Sequence, residues 1–503
     1  MTDTERFVEC SSKLVSGLLR DAIGYRVEYQ VPYFQGIIGY MVEAPLLWIR
    51  HSRFPILFIA YDQRRPDVLT TVVKQLEIAK ATEHFALLIV VPTRENGTGN
   101  EAQELRHHVA DSVYRHDFVV LDRQHLTSII GQGSAQRLIE IILQQGIELS
   151  SISPYVVRGP VPDKMFFGRE KEIKTVAQAI QTTDFAIVGG RRIGKSSILL
   201  KLNRLLNNDP RYRAVYVNCE DKFAYSDLFE ALSNEIGSMF DGEDPQAFRK
   251  FVASLNASTP NQQLVFLFDE VDELLAFDAG LNPSSRLFRT FRTLSHEDAC
   301  RFVFSGSRTL RHYLRNPRSP LFNFCQDLPL RPLEERSVAE IVSNPMRQLG
   351  IEVLDEGFLI GHIIQVSSCH PNIVQWLCDR LIKTISAQRR VTTDDLRAVS
   401  ADHEFLREYV ATAWGDATVL EKLISVLMER SDFTLSDVCE ALAAHGVTDK
   451  ERIQESLDIL QLYSLLDYDR QVYRFRLTHF PRILRQVETI PSLIESLAAR
   501  LET

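Results

Sequence analysis

The chain has 503 residues, 45% of them hydrophobic and 24% charged, with a net charge of −9 at pH 7. This is ordinary globular material, long enough for about three domains, and it argues against disorder and against a surface dominated by nucleic-acid or anionic-membrane contact. The polar N-terminus, the lack of any apolar run near ~18 residues, and seven scattered cysteines (10, 219, 300, 325, 369, 378, 439) without C-x-x-C spacing point to a cytoplasmic protein. Its thiols are expected to be reduced, with no signal peptide, membrane span or zinc site.

Apolar periodicity over residues 1–147 predicts a helix near 6–22, strands near 25–31, 46–50 and 55–61, and a helix near 66–83. A strand over 85–91, a helix near 101–114, a strand over 118–121 and a final helix pair follow. This order resembles the core of the restriction-endonuclease-like fold, and Val119 to Leu126 looks like the segment that closes it. The chemistry of that family needs an acid on the second strand, and an acid and a lysine two residues apart on the third, so that Mg²⁺ and water meet at a phosphate. Here the second-strand position falls around Pro45-Leu46 and the third strand reads Phe58-Ile59-Ala60-Tyr61-Asp62. Asp62 and Glu43 are the nearby carboxylates, and no lysine accompanies them. Three readings stay open: an inactive nuclease-like fold used to sense or dock a protein partner, an unrelated α/β interaction domain, and an active nuclease with migrated residues.

Residues 148–163 hold three prolines and a glycine, and read as an extended linker. Beyond it, the apolar run Phe185-Ala186-Ile187-Val188 leads into Gly189-Gly190-Arg191-Arg192-Ile193-Gly194-Lys195-Ser196-Ser197 and then a helical pattern. That is a phosphate-binding loop in strand–loop–helix context. Gly189 and Gly194 let successive amides face phosphate oxygens, Lys195 reaches the β and γ phosphates, and the Ser196 hydroxyl ligates Mg²⁺. The apolar run Leu264 to Phe268 reads as a strand buried on both faces, ending in Asp269-Glu270 where ligands bind in open parallel sheets. Asp269 would hold Mg²⁺, directly or through water, and Glu270 would orient and deprotonate the attacking water.

With Phe166-Phe167-Gly168-Arg169-Glu170 ahead of the loop and Asp269-Glu270-Val271-Asp272-Glu273 after it, residues 160–400 resemble the STAND ATPases and their origin-recognition-type AAA+ relatives. The resemblance implies a P-loop ATPase core over 164–333 with a parallel sheet and a helical lid over 334–404, binding ATP and Mg²⁺. It implies Phe167, Gly168 and Arg169 near the adenine, Ser305 or Ser307 sensing the γ-phosphate, and Pro371 in the lid segment Ser368-Cys369-His370-Pro371, where Ser-Cys replaces the glycines of the pattern. It also implies homo-oligomers, with Arg292, Arg308 or Arg311 as arginine-finger candidates.

Residues 405–503 read as three helices (418–429, one beginning at Thr434, and 449–462) and a strand pair (463–467 and 472–477), an order that resembles a winged helix. The third helix opens Asp449-Lys450-Glu451-Arg452-Ile453-Gln454-Glu455, with acids interleaved among bases, which disfavours contact with DNA phosphates. Arg470, Arg474, Arg476, Arg482 and Arg485 keep DNA open. The expectation is an ATP-driven switch of α/β class; its rivals are an ATP-gated DNA-binding regulator and an ATP-dependent nuclease.

Overall fold

Two five-stranded sheets carry most of the β-structure; the first begins with a largely exposed strand and the second with a fully buried apolar run. A computed structural model describes residues 3–45, 47–61, 68–78, 85–92, 101–110, 117–281, 286–385, 389–428 and 432–501. The first sheet has the order β1 (Arg26–Phe34), β2 (Ile37–Glu43), β3 (Arg53–Tyr61), β4 (Phe85–Pro92), β5 (Asp117–Leu121). Its first two pairings are antiparallel and its last two parallel. The helices Asp3–Ile23, Arg123–Gln132 and Ala135–Gln144 pack with it.

The second strand differs from the sequence expectation. It is Ile37–Glu43, reached through a tight turn at Gln35 (φ 45°) and Gly36 (φ 88°), and not 46–50. Leu47 and Ile49 are fully buried, but Lys164 Nζ takes their carbonyls (2.9 and 2.5 Å) and Arg50 N–H goes to the Ile152 carbonyl (2.8 Å). Those backbone groups are therefore spent on Lys164 and the linker and not on a sheet. Glu43 stands opposite Arg53 at the start of β3, the end remote from Tyr61. Asp62 lies outside the described residues.

The expected extended linker starts with a one-turn helix, Leu149–Ile152, and is tied down beyond it. The fully buried Tyr155 hydroxyl reaches the carbonyls of Ile341 and Val342 (3.1 Å each).

The second sheet is wholly parallel, in the order β10 (Cys325–Pro329), β6 (Asp184–Val188), β9 (Arg301–Gly306), β8 (Gln263–Asp269), β7 (Tyr212–Asn218). Strands β6, β8 and β9 are almost entirely buried, as near-continuous apolar runs require in a sheet covered on both faces. The functional loops leave from the carboxyl ends of these strands. Helices Glu335–Gln348, Glu356–Ser367, Pro371–Thr384 and Thr393–Ser400 follow, with the short pair β11 (Glu352–Val353) and β12 (Arg390–Val391).

After the helix His403–Trp414 come helices Val419–Leu427, Leu435–Ala443 and Lys450–Leu462, then the hairpin β14 (Leu466–Asp469) and β15 (Val472–Phe475). Arg470 (φ 49°) and Gln471 (φ 69°) make its two-residue turn. A two-residue strand unsignalled in the sequence, β13 (Asp432–Phe433), pairs with β15. One apolar core runs from the first sheet through the 335–400 helices into these C-terminal helices.

Candidate nucleotide site

At the end of β6 the chain turns through Gly189–Gly194 into the helix Lys195–Asn207. Arg192 (φ 58°) and Gly194 (φ 105°) take left-handed backbone angles that wrap the loop. The helix has no side-chain cap, so its first amides are left for a ligand. Gly194, Lys195, Ser196 and Ser197 line a cavity of about 420 Å³.

Lys195 is 4% exposed. Its Nζ donates to the carbonyls of Gly189 (3.3 Å) and Gly190 (3.2 Å) and stands 3.2 Å from Glu270 Oε1. Burial pushes the Glu270 carboxyl above its ordinary value, and the neighbouring Lys195 only partly opposes this. Glu270 has φ 53°, a strained angle for glutamate, and its N–H donates to Ser305 Oγ (3.2 Å).

Asp269 is fully buried, and both of its oxygens are engaged: Oδ1 accepts from the Ser305 hydroxyl and Oδ2 from the Tyr216 phenol (3.0 Å). Burial and the Asp269 charge push Tyr216 well up, so it stays a proton donor. Asp272 accepts from the backbone N–H groups of Ser307 (2.8 Å), Thr309 (2.7 Å) and Leu310 (3.2 Å). The acidic segment after β8 thus caps the helix Arg308–Arg315 that follows β9.

Of the residues singled out in sequence, Phe167, Arg169, Arg191, Arg192, Ile193, Glu270 and Pro371 line the same cavity as Gly194 to Ser197. Gly168, Gly189, Gly190, Asp269, Ser305 and Ser307 do not. Gly168 (φ 72°) leaves room for Ser337, whose Cβ would lie 2.6 Å from an added Cβ. Arg169 is buried and holds the loop by donating to the carbonyls of Ile193 (3.0 Å) and Arg331 (2.8 Å). Ser305 is joined to Asp269, whereas Ser307 contributes its backbone to Asp272. Among the arginine-finger candidates, Arg292 donates to the carbonyls of Pro320 and Phe322, and Arg308 pairs with Glu421 (2.5 Å). The Arg311 side chain makes no hydrogen bond or close ion pair among the described residues, although the charges of Asp458 and Asp327 act on it.

Sequence reasoning missed four groups. Tyr216 sits mid-strand with no motif to mark it. The linker crosses the cavity: Val156 N–H donates to Gln375 (3.1 Å), Asn372 to the Val157 carbonyl (2.7 Å), and Val161 N–H to Ser197 Oγ (3.1 Å). The C-terminal region also meets the loop, through Arg192 with Glu408 and Thr412, Arg191 with Asp416 (3.6 Å), and Tyr463 against Gly190. Trp48, from the first sheet region, stacks on Phe167 with ring centroids 6.3 Å apart. His370 is fully buried with Nδ1 unpartnered, and burial lowers its pKa to about 3.

An uncapped helix N-terminus, a buried lysine and a wrapped glycine loop fit a nucleotide phosphate tail, and the Ser196 hydroxyl in the cavity is an oxygen donor suited to Mg²⁺, while the Asp269 carboxylate, held by Ser305 and Tyr216, lies outside the cavity lining. The parallel sheet, the wrapped glycine loop and the helix that follows it have the P-loop α/β arrangement. Residues 183–314 match the sequence model of the AAA domain family. The structure resembles the Walker-type ATPase of Pyrococcus abyssi with a TM-score of 0.50 at 15% identity, covering 66% of this chain and 99% of that one. It is also similar to the Aeropyrum pernix ORC2 protein, solved as ADPNP–ADP complexes, with a TM-score of 0.46 at 13% identity over 66% of this chain and 97% of that one. No curated protein matches. Among the described residues no helix is long and apolar enough to cross a membrane.

Proposed function

We propose that the chain is an ATP-binding and ATP-hydrolysing molecular switch that couples nucleotide state to partner sensing or assembly. The observation that carries this is the Lys195–Glu270 pair, 3.2 Å apart beside the uncapped helix N-terminus. In this reading Lys195 leaves Glu270 to bind the phosphate tail, and Glu270 takes the proton of the attacking water. Ser196 and Asp269, directly or through water, would hold the Mg²⁺ that comes with ATP, which would supply charge neutralisation at the phosphates. Ser305 orients Asp269 and the Glu270 backbone together. Phosphate release measured on the wild type and on Glu270→Gln tests the reading.

The proposed units are an α/β domain over 1–147, a linker over 148–163, an ATPase core over 164–333, a helical lid over 334–404 and a winged helix over 405–503. The contacts of Glu408, Thr412, Asp416 and Tyr463 with the phosphate loop support a switch in which the C-terminal unit answers to nucleotide. The Trp48–Phe167 stack supports a route from the N-terminal unit, read as a docking module, to the base site. In the hairpin, Arg470, Arg474 and Arg476 each face an aspartate, at 4.0, 3.9 and 2.9 Å, which favours packing over DNA contact. The DNA-binding reading predicts a steep salt dependence that neutralising these three arginines would flatten; retention of DNA only in or below the non-specific range, about 10⁻⁶ to 10⁻⁴ M, supports the switch.

A further inference from the structure

A second cavity, about 990 Å³, lies between the helix Arg308–Arg315 and the C-terminal helices, on residues that the nucleotide site does not use. Arg308, Arg311 and Arg315 occur at i, i+3 and i+7 and share one helix face, spanning about 10 Å along the axis. Arg452 stands across from them, with Leu420, Ile459 and Leu501 supplying apolar wall. Arg308 is paired with Glu421 and Arg315 with Asp458 (3.3 Å). Among the described residues the half-buried Arg311 side chain makes no hydrogen bond or close ion pair, though the charges of Asp458 and Asp327 act on it, and Arg452 is exposed; Glu455 also lines the cavity. Burial disfavours the Arg311 charge, which Asp458 and Asp327 offset only in part, so its donors are left for a ligand anion.

We propose that this cavity binds an organic polyphosphate of nucleotide size. Guanidinium forks match phosphate oxygens, and a line of three on one wall suits phosphates strung along a chain better than a single anion. The volume is at the upper end of the usual range for small-ligand pockets, and the apolar wall would cover the organic body. Because Arg308 lines the cavity while pairing with Glu421, a bound polyphosphate competes with Glu421 for it. Binding here therefore weakens the tie between the helix after β9 and the C-terminal helices. The site itself stands apart from the ATPase reading; its effect on the switch rests on that reading.

The test is calorimetric titration of inorganic tripolyphosphate into the full-length Lys195→Ala protein, whose phosphate loop is disabled. One tripolyphosphate per chain is expected. Adding Arg311→Ala and Arg452→Ala should weaken binding by about tenfold or more, the loss expected for two charge-assisted contacts, while Arg311→Lys in place of Arg311→Ala keeps the charge and recovers part of it. Circular dichroism checks that each variant is folded. Absence of binding to Lys195→Ala, or equal binding with and without the two arginines, overturns the proposal. So does a change of particle mass on ATP addition that depends on Arg311 while tripolyphosphate binding does not, which would assign Arg311 to a neighbouring copy. Single-stranded DNA bound more tightly than tripolyphosphate through the same arginines would overturn the small-ligand assignment. Failure of wild-type protein to bind ATP would sink the ATPase reading alone.

Discussion

Tyr463 presses on Gly190 so closely that a Cβ added to Gly190 would stand 2.9 Å from the Tyr463 Cα. The last turn of the helix Lys450–Leu462 therefore ends on the phosphate loop, and only glycine fits beneath it. Because the obstacle is backbone, Gly190→Ala must displace the loop or the C-terminal helices. The expected result is a basal ATPase rate and nucleotide exchange changed by severalfold, with a lower melting temperature. Stopped-flow release of a fluorescent nucleotide checks this; an unaltered rate and melting temperature would mean the contact is not tight.

Tyr216 holds Asp269 by a 3.0 Å hydrogen bond. Removing the donor in Tyr216→Phe frees the carboxylate to turn. Outer-shell partners of metal ligands typically carry about 10- to 100-fold in metal affinity. The Mg²⁺ concentration for half-maximal turnover should rise by about tenfold, while ATP affinity in EDTA stays unchanged. A purely structural tyrosine would lower both together.

Burial holds the Glu270 carboxyl above its ordinary value. A base must be ionised, so turnover should be full above that raised pKa and fall as pH drops through it. The acid limb of kcat is expected above the usual glutamate range, and should be absent from the residual activity of Glu270→Gln. An identical limb in the variant would assign the titration to another group.

His370 is neutral and buried, with its pKa depressed to about 3. The unfolded chain takes up the proton first, so this residue's contribution is intact above about 6.5 and is lost as pH falls from there towards about 3. His370→Asn should flatten the decline of urea-unfolding stability across that window. Equal slopes for both proteins would exclude His370 as the cause.

The phosphate loop and the strand ending in Asp269-Glu270 were legible because each is local: a buried apolar run, then a fixed spacing of glycine, lysine or acid. Strand Ile37–Glu43 was not, because it is buried on both faces and carries Gly39, where a Cβ would lie 2.5 Å from Leu57 Cδ2. Leu47 and Ile49 imitate a strand by burial, while their carbonyls serve Lys164. The pairing of Tyr463 with Gly190, like that of Arg308 with Glu421, joins residues far apart in the chain, and no pattern around either partner announces the other. Tyr216 looks like any strand tyrosine until β7 lies beside β8 and Asn218 comes opposite Asp269.

The most direct test is ATP binding and phosphate release on three proteins: wild type, Lys195→Ala and Glu270→Gln. The expected result is that Lys195→Ala loses useful nucleotide affinity, whereas Glu270→Gln binds ATP like the wild type and turns over about 10² to 10⁴ more slowly, the range for loss of a general base. Hydrolysis by Glu270→Gln at the wild-type rate, or a wild type that binds no ATP, would contradict the assignment of this site as an ATPase centre.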